Sequence, residues 1–183
     1  MIQPSPTDLL AARDRAIPDV VTTELDVLFC GINPSLYSGA TGFHFARPGN
    51  RFWATLHGAG FTDRQLRPDD VDELLAAGIG ITNLVNRATA TAAELGKAEL
   101  LTGAARLRET ARSHRPRAVA IVGISAYRVA FAAPRAVIGP QPEPLEGSPL
   151  WVLPNPSGLN AHYQLDRLLQ AYAELRRAVE QVE

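Results

Sequence analysis

Asn33, Asn83 and Asn155 each follow a short apolar run, in VLFCGIN, GIGITN and LWVLPN. Two of them open the same tripeptide, Asn33-Pro34-Ser35 and Asn155-Pro156-Ser157. Asparagine and serine supply amide and hydroxyl hydrogen bonds but no proton acceptor of useful pKa. No Asp or Glu lies within these motifs, which argues against general base catalysis by a carboxylate. Cys30 sits at an apolar strand end, where burial raises a thiol pKa, and no His adjoins it in the chain. A phosphate-cradling loop needs more glycine and a helix opening directly behind it, and GINPS offers neither. What remains is a site that positions a water and stabilises a leaving group through hydrogen bonds. Either Asn-Pro-Ser alone reads as a good turn; three asparagines at three strand ends shift the reading toward a site.

The elements that must position these residues are short. Val27–Phe29 reads as a buried strand ending at Asn33-Pro34, because proline lacks an amide hydrogen and keeps the preceding residue extended. The Gly-, Ser- and aromatic-rich stretch behind it, through Gly49, reads as a long loop. Asn50 is placed to cap a helix over 51–59, with Phe52, Leu56 and Trp53 inward. Further helices are expected over 68–77, 97–114, 125–132 and 162–182, and further strands over 78–85, 118–123 and 150–153. Pro116 ends the 97–114 helix, and the Arg106, Arg108, Arg112, Arg115, Arg117 run reads as a solvated face. Residues 133–149 read as an irregular connection, and 1–24, with a short helical candidate over 8–15, as a loosely attached lead-in before a domain over 25–183. Strands alternating with helices imply an α/β domain of three layers, with a short, mostly parallel four-stranded sheet flanked by helices. The carboxyl ends of parallel strands share one edge, so the three asparagines converge there.

The chain's 183 residues, 46% hydrophobic and 20% charged, suit one domain with a full core. No apolar run is long enough for a membrane span, and the first twenty residues lack the apolar core of a signal peptide, so the expected location is cytoplasmic. One cysteine forbids an internal disulfide, and His44, His57, His114 and His162 are scattered without metal-ligand spacing. The net charge of −1 gives no global basic field, so nucleic-acid binding would rest on a local patch.

Six ordered motifs carry a resemblance: GINPS at 31–35, TGFHF at 41–45, RPGNRFW at 47–53, GFTDRQL at 60–66, ITNLVNRAT at 81–89 and WVLPNPSGL at 151–159. Together they resemble the mismatch-specific uracil-DNA and thymine-DNA glycosylase family, part of the uracil-DNA glycosylase superfamily. The resemblance implies a single α/β domain that flips uracil out of double-stranded DNA and hydrolyses its N-glycosidic bond, leaving an abasic site. It implies G·U preference, thymine or exocyclic cytosine adducts as further substrates, no metal or cofactor, a monomer, and bacterial-type cytoplasmic location with access to the nucleoid. A non-catalytic module binding damaged or abasic DNA is the alternative of the same fold.

Carried over by motif, Asn33 positions the attacking water, and the Gly31-Ile32 backbone lies at the base. Phe45 is the surface on which the base stacks, Asn83 and more weakly Thr89 bond its edge, and Ser38 lies beside pyrimidine C5. Ser35 replaces a common glycine, which would narrow the approach to the base. His44 is shared with the thymine branch. Asn155 stands where a more active family has a histidine, implying slow turnover. Ser157, Gly158, Leu159 and Asn160 fall in the loop that wedges into the duplex, and Asn160-Ala161 replaces a frequent Ser-Arg. Arg47 and Arg51 are the phosphate candidates. Lys97, the only lysine in the chain, lies outside these motifs, so lyase chemistry is not expected.

Overall fold

The computed structural model describes residues 3–158 and 163–181. At its centre is β1 (Val27–Gly31), flanked by β2 (Ile79–Asn83) on one side and β3 (Ala118–Val122) on the other, with β5 (Leu150–Leu153) beyond β3. All four are parallel, and each of β1, β2 and β3 is buried along its whole length. Burial on both faces explains why they read as continuous apolar runs without alternation. Side chains nevertheless alternate between two cores. Val27 and Phe29 pack with Phe52 and Leu56 of α3 (Phe52–Gly58) and Leu168 and Tyr172 of α7 (Leu165–Glu180). Leu28 and Cys30 face Leu100, Ala104 and Leu107 of α5 (Lys97–His114) and Ala126 and Tyr127 of α6 (Ile124–Ala130). The three-layer α/β expectation holds.

Three local differences have physical causes. The sheet has five strands: Gly139–Pro140, inside the connection read as irregular, forms β4 antiparallel to β5 at the edge, where a missing proline donor is tolerated. The long loop behind β1 contains α2 (Leu36–Thr41), capped by Ser35 Oγ on Ser38 N at 3.1 Å and ended by Gly42 at φ 79°. Its sequence, LYSGAT, carries Gly39 at its centre. The first helix, α1, spans Pro6–Ala11 because Ser5 and Asp8 form a capping box ahead of Pro6. The remaining helix, α4, covers Val71–Ala76.

The lead-in is not loosely attached. Ala12 and Ile17 are buried, and Val20 forms an antiparallel bridge with Ile81, covering the open edge of β2. Upstream, Asp14 N donates to Ala88 O at 2.9 Å and Ala88 N to Arg15 O at 2.9 Å. Two Pro-rich turns make this segment look detached, but its partners lie some seventy residues away, beyond any local periodicity. Among the described residues no helix is long and apolar enough to cross a membrane.

Candidate active site at the carboxyl edge of the sheet

The sheet register aligns Gly31 with Asn83, and Val122 with Leu153, so β1, β2, β3 and β5 end together. A cleft of about 210 Å³ opens at that edge. Its walls include Ile32, Asn33, Ser35, Ser38, His44, Phe45, Asn83, Thr89 and Asn155, nine residues singled out from the sequence, and Gly31 lies beneath Asn83 and Phe45.

Asn33 is held by its amide nitrogen. Nδ2 lies 2.7 Å from Thr89 Oγ1, 3.0 Å from Arg87 O and 3.1 Å from Pro34 O. Two of these are carbonyls, which cannot donate, so the group facing them must be the NH2. Thr89 Oγ1 donates its own proton to Thr91 O at 2.8 Å, leaving a lone pair for Asn33. Oδ1 is thereby turned away from these partners and, among the described residues, accepts no hydrogen bond, on a residue that lines the cleft. The anchoring loop is itself braced: the Arg87 guanidinium pairs with Glu99 through Nε at 2.6 Å and Nη2 at 3.1 Å, holding that carboxyl down at about 2.

Asn83 is oriented by a second chain. His44 Nε2 lies 2.9 Å from Pro18 O and therefore carries a proton, so Nδ1 accepts from Asn83 Nδ2 at 3.2 Å. This neutral imidazole is buried, and burial lowers its pKa below the ordinary value. Arg106 donates to Asn83 O and pairs with Asp19 at 3.0 Å, while Thr82 Oγ1 donates to Asp19 at 2.8 Å. Arg106 is thus a structural tie in what reads as a solvated arginine face. Gly103, one helical turn earlier on α5, lets the helix approach so closely that an added Cβ would fall 2.3 Å from Leu84 O.

Phe45 stacks on Phe52 with centroids 3.9 Å apart, and Phe52 meets Phe29 edge-on at 5.5 Å. The ring is thereby rooted in the core while still lining the cleft. Its backbone lies at φ 50°, a left-handed conformation costing about 1–2 kcal/mol for a residue with a Cβ. Gly31 makes the arrangement possible, because a Cβ there would lie 2.5 Å from Asn83 Oδ1 and 3.3 Å from Phe45 Cζ. On the far side, Gly123 at φ 135° leaves room where β3 ends; a Cβ would meet Ile32 Cδ1 at 2.9 Å, with Asn155 Nδ2 at 3.8 Å.

Ser38 is buried, and its hydroxyl accepts from Ser35 Oγ at 3.3 Å and from Ala46 N at 3.4 Å, tying α2 to the Phe45 turn. Asn155 Oδ1 accepts from Ser157 N at 2.9 Å, closing the second Asn-Pro-Ser turn. Arg47 is exposed at the cleft mouth, whereas Arg51 donates to loop carbonyls. Gly158 packs on Gly49; Leu159 and Asn160 lie outside the described residues, as does His162. Cys30 is buried, which pushes its thiol up and leaves it unsuited to attack. Among the described residues no group of three His, Cys, Asp or Glu side chains is arranged to hold a metal ion.

Sequence reasoning missed Ile17, which lines the cleft and exchanges hydrogen bonds with Asn86. It also missed Arg106 and Gly123. The adjacent Ile17-Pro18 pair gives no local cue, since its partners are distant in the chain.

Residues 18–179 match the family model described as "Uracil DNA glycosylase superfamily". The chain is also similar to the solution NMR structure of a protein from Methanosarcina acetivorans described as a candidate uracil DNA glycosylase. The TM-score is 0.60 at 19% identity, covering 92% of this chain and 99% of that one. At that identity the likeness carries the fold alone.

The buried imidazole has a measurable consequence. His44 binds a proton less readily in the folded chain than in the unfolded chain, whose value is 6.5. Its contribution is therefore fully present above that pH and is lost as pH falls below it. Urea unfolding at about pH 7.5 and about pH 5.5 should show a larger loss for the native chain than for His44→Gln. Equal losses would mean that His44 protonates freely in the fold.

Proposed function

The chain belongs to the uracil DNA glycosylase superfamily, and we propose that it is a monofunctional DNA glycosylase excising uracil from double-stranded DNA, with G·U mismatches preferred. The observation that carries this reading is the pinned Asn33 carboxamide: its nitrogen is bonded three times, its Oδ1 takes no hydrogen bond among the described residues, and the residue lines the cleft. Oδ1 accepts a hydrogen bond from a water and aims that water at the sugar C1′. An amide cannot take the water's proton as a carboxylate can. Bond breaking therefore leads: the N-glycosidic electron pair leaves with the base, the sugar gains oxocarbenium character, and water adds to C1′ while its proton passes to solvent.

The flipped base stacks on Phe45, a contact of the kind worth about 1–3 kcal/mol per base. Asn83, held by the neutral His44, reads the base edge, with Thr89 behind Asn33 and Ser38 toward pyrimidine C5. The Gly31-Ile32 backbone and Asn155 line the rest of the pocket, and Ser35, as cap of α2, sets the helix that carries Ser38. Arg47, which has no ion-pair or hydrogen-bond partner for its side chain among the described residues, meets the phosphate backbone. Residues 157–160 enter the duplex, and a mismatched base costs less to extrude, which favours G·U. The enzyme acts as a monomer. Thymine and exocyclic cytosine adducts are slower substrates. Lys97 begins α5, does not line the cleft, and forms no Schiff base.

The direct test is a labelled set of G·U, A·U, G·T and single-stranded uracil substrates, treated with alkali to break abasic sites. Cleavage should be strongest for G·U and appear only after alkali. Tight binding to an abasic duplex with no base release would instead identify a non-catalytic damage-binding module.

The Asn33 anchor is tested separately. Thr89→Val removes the hydroxyl acceptor and should slow single-turnover uracil release about tenfold, the size expected for one strong hydrogen bond, with KM little changed. Thr89→Ser should restore the rate; failure of serine to do so would show that the threonine acts through packing.

A further inference from the structure

By its place in RPGNRFW Arg51 reads as a phosphate candidate, yet the structure turns donors of its guanidinium to loop carbonyls. Its backbone N donates to Pro156 O at 3.0 Å and its Nε to the same oxygen at 3.4 Å. Nη2 donates to Ser157 O at 2.5 Å, and Nη1 to Tyr163 O at 2.7 Å. Pro156 and Ser157 precede the 158–162 segment and Tyr163 follows it, so one planar guanidinium holds both ends of that segment. Three carbonyls belonging to a single loop are an unusual set for a surface arginine, whose fixed fork otherwise suits carboxylate or phosphate.

The seat continues along the same turn. Gly158 rests so closely on Gly49 that a Cβ would lie 2.5 Å from Gly49 O. Arg51 directly precedes α3, where Phe52, Trp53 and Leu56 are buried in the core. The loop is therefore referenced to the rigid body of the domain through residues 49–51. Arg47, four residues earlier, is exposed beside Ser157 and Gly158 and remains available to an anion.

We propose that Arg51 is a positioning residue that fixes both ends of the 158–162 segment so that it can enter duplex DNA, and is not a phosphate ligand. The inference rests on the glycosylase reading above. It makes a distinction that charge alone does not: lysine keeps the positive charge but cannot reach carbonyls at both ends of the segment.

The test compares the native chain with Arg51→Gln and Arg51→Lys on a G·U duplex and on a duplex carrying the uracil in a bulge, already unstacked. Both variants should lose about tenfold in single-turnover rate on G·U, as expected for lost charge-assisted hydrogen bonds, and little on the bulge. The salt dependence of binding should be unchanged, and amide exchange at 157–163 should accelerate while β1 and β3 stay protected. A native rate in Arg51→Lys, or a salt slope lowered by about one in Arg51→Gln, would make Arg51 a phosphate contact and overturn the proposal. Equal losses on both substrates, or unaltered exchange at 157–163, would overturn it as well. If the native chain releases no uracil, the glycosylase reading falls on its own. The clamp is then decided by exchange and by affinity for an abasic-analogue duplex, which should drop about tenfold in both variants if the clamp holds.

Discussion

A carboxamide has a donor end and an acceptor end, and which end faces the cleft decides what Asn33 can do. Two backbone carbonyls and a hydroxyl already committed as a donor surround the nitrogen. That arrangement leaves one orientation, with the oxygen away from those partners. The 87–89 loop, which supplies two of the three acceptors, is held from both sides, by the Arg87–Glu99 pair and by the backbone exchange of Ala88 with Asp14 and Arg15. The N-terminal segment therefore belongs to the scaffold of the cleft although its described residues add no strand of their own. Its removal would release the orientation of Asn33, the bond that His44 donates to the Pro18 carbonyl and the cover over β2 in one step.

The rest of the cleft depends on backbone approach more than on charge. Gly31 and Gly123 stand where two strands end, and each gives up a side chain so that others meet across it: Asn83 with Phe45, and Ile32 with Asn155. Phe45 holds an unfavourable backbone conformation because its ring is stacked on Phe52, itself buried in the core. Strain at the cleft is thus offset in the core, and the Phe45 ring is held in place at the cleft by the Phe52 stack. Preorganisation of this kind matters for a site without a carboxylate base, because geometry must supply what acid–base chemistry does not.

Much of this was legible in the sequence. Three of the four parallel strands, β1, β3 and β5, are apolar runs closed by Gly or by Pro-Asn-Pro, β2 reads as IGI running into Thr82-Asn83, and the α5 limits follow from helical spacing and Pro116. Parallel topology then forces Asn33, Asn83 and Asn155 to one edge without further information. What escaped was held by long-range partners. Arg106 looks like its exposed neighbours until its contact with the Asn83 carbonyl is seen, and Ile17 joins the cleft through Asn86, 69 residues away. Helix α2 forms despite Gly39 at its centre because Ser35 caps it and Gly39 packs against Ala12 and Ala88, an outcome of tertiary contact and not of propensity alone.

The central claim is that water is aimed by an amide oxygen whose orientation the protein has fixed. It is tested most directly by single-turnover uracil release from a G·U duplex with Asn33→Ala, beside affinity for an abasic-analogue duplex. The account predicts that release falls by roughly a hundredfold, as loss of reactant positioning does, while abasic-site affinity is retained. Release at the native rate would contradict it and place the water elsewhere in the cleft.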